Sequence, residues 1–155
     1  MNPAADSFAL AARLCIPADP LMTESNPKPA FLQVPISVGE LVDKITILRI
    51  KRHHLSAPAL ANVQRELELL EQVLAASGIV PVTEDMEALA GVNRALWDIE
   101  DQIREHERRR CFDEAFIDLA RSVYLRNDER AAIKRRINKL CGSQLVEEKA
   151  YQSYQ

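Results

Sequence analysis

At 155 residues the chain has the size of one domain with a substantial hydrophobic core, and 47% hydrophobic with 28% charged residues is ordinary for a globular protein. A net charge of −3 supplies no bulk attraction to nucleic acid or anionic lipid. No apolar run approaches the ~20 residues that a membrane-spanning helix requires.

Only four glycines stand against abundant leucine, alanine, glutamate and arginine, a composition that favours helix over sheet. Cys15, Cys111 and Cys141 are odd in number and widely spaced, with no C-x-x-C. That pattern speaks against a disulfide framework or a structural zinc motif and fits a reducing, cytoplasmic compartment.

Residues 1–30 hold five of the eight prolines, with Ser, Asn and Asp between them, and read as a flexible N-terminal arm. Asp6-Ser7 is placed to cap a short helix bearing Phe8, Leu10, Ala11 and Leu14. The stretch lacks the basic n-region of a signal peptide. Met22, just before a polar segment, is an alternative start.

The helical body is predicted over residues 31–142. Phe31 to Ile36 is extended, because Pro35 disfavours helix in the residue before it. Ser37-Val38-Gly39-Glu40 fits a capping box, with Ser37 as N-cap and Glu40 reaching back; Ile36 and Leu41 form the matching staple. Val38, Leu41, Ile45, Leu48 and Leu55 then recur at helical steps, and Val42, Ile47 and Ile50 widen the apolar face. This first helix is expected to end near Leu55, before Pro58.

A second helix from Ala59 carries the stripe Leu60, Val63, Leu67, Leu70, Leu74 and ends at Gly78. Joined by a short Ser/Pro turn, the two read as an antiparallel hairpin. Thr83 is expected to cap a third helix whose seam is Leu89, Val92, Leu96, Ile99 and Ile103, running to about Arg110, roughly 40 Å at 1.5 Å per residue. At its centre stand the single tryptophan, Trp97, and the acids Asp98, Glu100 and Asp101.

Asp113 caps the next helix, with Phe116, Ile117, Leu119, Ala120, Val123 and Tyr124 as its apolar face. Asn127-Asp128 breaks the pattern and suggests a kink or a separate helix carrying Ala131, Ile133, Ile137 and Leu140. Residues 143–155 read as a loosely held tail with Val146, Tyr151 and Tyr154 as docking points. The expected fold is all-α, an antiparallel helical hairpin packed on further helices in a four-to-five-helix bundle.

Val34–Leu48 (VPISVGELVDKITIL), Leu96–Arg104 (LWDIEDQIR), Ala120–Arg130 (ARSVYLRNDER) and Glu147–Tyr151 (EEKAY) together resemble a family of small bacterial proteins known only as a domain of unknown function. The resemblance covers about Val34 to Tyr151. It implies a helical domain and brings no activity or catalytic residues with it.

Charge is uneven along the body. Between Glu66 and Asp101 nine acids face one base, Arg94; between Arg104 and Lys139 eleven bases face seven acids. Segments of opposite sign pack on each other or seek a partner. Glu40 and Asp43, and likewise Asp98 and Asp101, stand three apart, so each pair projects onto one helix face. On facing helices the two pairs would suit Mg²⁺ with a phosphorylated ligand, with Arg121, Arg130 or Lys134 meeting the phosphates. This looks loosely like the all-helical nucleoside triphosphate pyrophosphatases, but Asp replaces Glu within each pair and the spacing between pairs differs. Helix capping by Glu40 and i,i+4 pairs such as Glu100–Arg104 and Glu105–Arg109 explain these acids without a metal.

Asn93, Trp97, Asp101, Arg104, Arg121, Tyr124, Asn127, Asp128 and Arg130 form a second constellation. It reads either as a pocket for an anionic small molecule or as a buried hydrogen-bonded lock that sets helix register, and the lock is favoured. The clusters Arg108–Arg110 and Lys134–Arg136 lack interleaved aromatics, which speaks against nucleic acid. His53, His54 and His106 have no metal-ligand spacing among themselves, and no nucleophile–base set or phosphate loop occurs.

The function expected is therefore a non-catalytic helical module for protein interaction or self-association, with no cofactor. The alternative is a Mg²⁺-dependent hydrolase or binding protein for a nucleotide or other phosphorylated metabolite.

Overall fold

A computed structural model describes residues 32–148 and Ala150. The chain divides after Gln33 into two units, and the second holds every described helix. These are α1 (Val38–His54), α2 (Ala59–Ala76), α3 (Thr83–Arg109) and α4 (Glu114–Leu140), with no strand among the described residues. The expected short helix near Asp6, the start at Met22, and Tyr151 and Tyr154 lie outside the described residues.

α1 is the central element, touching α2 on one side and both α3 and α4 on the other. That position explains its sequence: a helix apolar on several faces is buried on several faces. Leu41, Ile45 and Leu48 pack with Val63 and Leu67 of α2. Val42 points the other way, into Leu89, Val92 and Leu96 of α3 and Ile133 and Ile137 of α4. Val42 and Ile45 are fully buried, so truncating Ile45 to Ala would cost about 2–5 kcal/mol.

The start of α1 is tied down three times. Ser37 Oγ accepts from the Glu40 N–H at 3.2 Å, Asn138 Oδ1 from Gly39 at 2.6 Å, and Ser143 Oγ from Val38 at 3.3 Å. α4 therefore caps α1 with a side chain from its own last turn. The approach is so close that a Cβ on Gly39 would stand 2.6 Å from the Lys134 carbonyl oxygen. Glycine is required there by space.

Several expectations change. Ser37 is the N-cap, but Glu40 turns to Lys134 of α4 at 2.6 Å, and Ile36, the expected staple partner, is 44% exposed. Thr83 is the first helical residue, with Val82 preceding it and no side-chain cap. Above all, α4 runs through Asn127-Asp128 as one helix of 27 residues, so the described residues hold four helices. Asn127 donates to the Val123 carbonyl at 2.9 Å, one turn back in its own helix, instead of opening a new one. Gly78 and Gly142 take positive φ after α2 and α4, as helix-ending residues do.

Candidate functional site

Polar residues in the middle of apolar stripes mark the interior of this bundle. Asp43 is 1% exposed and lies between α1, α3 and α4. Arg130 of α4 grips both of its carboxylate oxygens, with Nε at 2.8 Å from Oδ1 and the second bond from a terminal nitrogen to Oδ2. Asn93 of α3 donates to the same Oδ1 at 2.8 Å and to Thr46 Oγ1 at 2.8 Å. Thr46 Oγ1 donates in turn to the Asp43 carbonyl at 2.8 Å. Three helices are thus joined by one network. The hydrogen bond to Asp43 raises the Arg130 pKa above its ordinary value, outweighing partial burial.

Two further ion pairs flank this centre. Lys134 is 7% exposed and reaches Glu40 at 2.6 Å and Glu147 at 2.5 Å. Burial works against its charge, but the hydrogen bonds it donates to Glu147 and Glu40 outweigh it and hold the ammonium pKa above the usual lysine value. Arg136 donates to buried Asp85 at 2.6 Å, and Arg135 lies 3.6 Å from Glu148. The basic cluster 134–136 is committed to carboxylates of its own chain.

Of the nine residues of the predicted polar constellation, Asn93 and Arg130 come together, on Asp43. Trp97 is half-buried and stacks on His54 with ring centroids 4.7 Å apart; its Nε1–H is buried with no hydrogen-bond partner among the described residues. Asp101 and Arg104 are exposed and pair with each other along α3 at 3.4 Å, and Arg104 also holds Glu100 at 2.9 Å. Arg121 and Tyr124 are exposed on α4, while Asn127 and Asp128 are half-buried.

The predicted metal ligands are likewise dispersed. Glu40 and Asp43 are bound to Lys134 and Arg130, Asp98 and Asp101 face solvent from α3, and the four do not gather their oxygens into one group. The expected pair Glu105–Arg109 is present at 2.5 Å.

The residues that sequence reasoning missed are Thr46, Asp85, Lys134 as a buried group, and Asn138. A signal existed for Thr46 and Asp43, because both occupy positions flanked by stripe residues where an apolar side chain would be expected. Asn138 and Lys134 carried no such mark, since α4 is strongly charged throughout.

A separate cavity of about 370 Å³ opens between α1 and α3. Thr46, Arg49 and His53 line it from α1, and Met86, Glu87 and Arg94 from α3.

Beyond these sites the bundle changes character. α3 has no buried residue after Leu96, and α4 none before Ile133. From Trp97 to Ala132 the two helices form an arm with no fully buried side chain, and Phe112, Ile117, Tyr124 and Leu125 are 39–55% exposed on it.

A family model described as a family of unknown function, DUF6165, matches residues 32–154. No curated protein and no solved structure matches the chain.

Proposed function

The chain belongs to the DUF6165 family of unknown function, and we propose that it acts as a non-catalytic helical interaction module that pairs with a second copy of itself through the distal arm of α3 and α4. The observation that carries this reading is the absence of any buried residue between Trp97 and Ala132. Two antiparallel helices offer only half of a bundle core, and an antiparallel copy of the same hairpin completes a four-helix bundle.

The exposed residues supply a seam for it. Ile117, Tyr124 and Leu125 are exposed and recur at two-turn spacing, so they share one stripe of α4. Charge supports the same occupant. Asp98 at the root of the arm and Arg110 at its tip have no ion-pair partner among the described residues. In an antiparallel pair the tip of one copy lies over the root of the other, where these opposite charges answer each other.

Sedimentation equilibrium of the full chain at micromolar concentration tests the proposal. A dimer is expected, converted to a monomer of unchanged helicity by the paired substitutions Ile117→Asp and Leu125→Asp. A strict monomer at 100 µM, on the order of ten times the weakest useful self-affinity, would overturn it.

The cavity between α1 and α3 supports a second reading, an anionic small-molecule site. Arg94 lines it and makes no ion pair among the described residues, as a residue reserved for a phosphate or carboxylate would. A thermal-shift screen with phosphorylated metabolites, with and without Mg²⁺, tests it: a stabilising hit abolished by Arg94→Ala supports the site.

A further inference from the structure

The turn that closes the arm brings together three side chains that lie apart in residue type and role. His106 occupies the last turn of α3. Arg110 takes a left-handed conformation, φ 53°, and reverses the chain. The Cys111 N–H then returns to the His106 carbonyl at 3.0 Å, which sets Cys111 beside His106, and Asp113 follows as the N-cap of α4. An imidazole nitrogen, a thiol sulfur and a carboxylate oxygen come within 4.8 Å of one another.

Two of the separations, each to a different oxygen of the Asp113 carboxylate, are close to those of ligands around one ion. Cys111 Sγ is 3.3 Å from Asp113 Oδ2, and His106 Nδ1 is 3.7 Å from Asp113 Oδ1. Around a tetrahedral Zn²⁺, with bonds of about 2.0–2.1 Å to nitrogen or oxygen and about 2.3 Å to sulfur, neighbouring ligand atoms stand roughly 3.3–3.7 Å apart. The thiol proton, donated to Asp113, lies between two of the three groups, where a cation would take its place, while His106 Nδ1 now bonds the Cys111 carbonyl oxygen at 3.0 Å and turns from it to coordinate. Helix capping does not account for the set. The cap uses Asp113 Oδ1, which accepts from Phe116 N–H at 3.1 Å, and needs neither Oδ2, the thiol nor the imidazole.

The geometry points to a Zn²⁺ site formed by His106, Cys111 and Asp113 at the tip of the α3–α4 arm. One nitrogen, one thiolate and one carboxylate suit zinc and disfavour Mg²⁺ or Ca²⁺, which take oxygen ligands. Binding replaces the Cys111 thiol proton, released to solvent, and moves the His106 proton from Nδ1, where the Cys111 carbonyl oxygen accepts it, to Nε2, which frees Nδ1 to coordinate. The fourth position faces water past the exposed Asp113. The ion ties the last turn of α3 to the first turn of α4, in the part of the hairpin where packing alone contributes least.

The site is tested by titrating Co²⁺ into the reduced full-length chain and following the thiolate-to-cobalt absorption and the visible bands of tetrahedral Co²⁺. One equivalent is expected, displaced by Zn²⁺, with the signal unchanged in Cys15→Ser and Cys141→Ser. Cys111→Ser should abolish it, and His106→Gln and Asp113→Asn should weaken binding at least tenfold with helicity retained, since asparagine still caps a helix. Absence of a saturable signal, or a signal that survives Cys111→Ser, overturns the site. The readout does not depend on whether the chain is a monomer or a dimer, so it fails or stands independently of self-association.

Discussion

Asp43 shows how a single residue can set the register of three helices. Its carboxylate accepts from both prongs of a guanidinium and from an amide, so both of its oxygens are engaged within the bundle. Such a pair contributes little net stability compared with a well-packed apolar replacement, because both charges lose water on burial. Breaking one side is a different matter. Asp43→Ala strands Arg130 and Asn93 and is expected to cost about 3–5 kcal/mol in urea denaturation. Combining Asp43→Leu with Arg130→Met should recover much of that loss. If the single and double substitutions are equally destabilising, the two residues are not coupled and the lock is misassigned.

At the scale of the element, α4 is the instructive helix. Asn127 and Asp128 are strong capping residues, and a capping residue in mid-sequence reads as a start signal. Here tertiary packing overrides that preference. Arg130, Lys134 and Asn138 must all reach α1 from one uninterrupted face, and their spacing of four does so only if the helix is continuous. Proline distinguishes the two cases. At the first position of a fresh helix it is well tolerated, whereas inside a helix it removes a hydrogen bond and costs about 3 kcal/mol or more. Asp128→Pro is therefore expected to lower stability by at least that much in thermal or urea unfolding, and a near-neutral result would restore the break.

For the whole molecule, the division between a packed base and an unpacked arm has a dynamic consequence. Local opening is governed by buried apolar contact, and the base holds all the buried residues of α3 and α4. Hydrogen exchange in the Ile117→Asp, Leu125→Asp monomer should show amides of 97–128 exchanging well before those of 38–50 and 133–138. In the wild-type chain at dimer-forming concentration the arm should gain protection and the base should not. Equal protection of arm and base in the monomeric variant would show that the hairpin is stable by itself and needs no partner.

Local chemistry was enough to read the helical class, the bounds of α1 to within a residue and those of α3 nearly so, the Ser37 and Asp113 caps, and the Gly78 stop, because propensity, periodicity and capping act over a few residues. It also singled out Asn93 and Arg130, which the structure brings together on Asp43. It did not identify their common partner, since Asp43 lies 50 residues from one and 87 from the other, and Lys134 takes Glu40 out of its local capping role. Which acids end up buried and which arginines meet them are decided by the packing of helices on each other. Desolvation and ion pairing depend on neighbours in space, and those neighbours exist only once α1 lies between α2 and the α3–α4 pair.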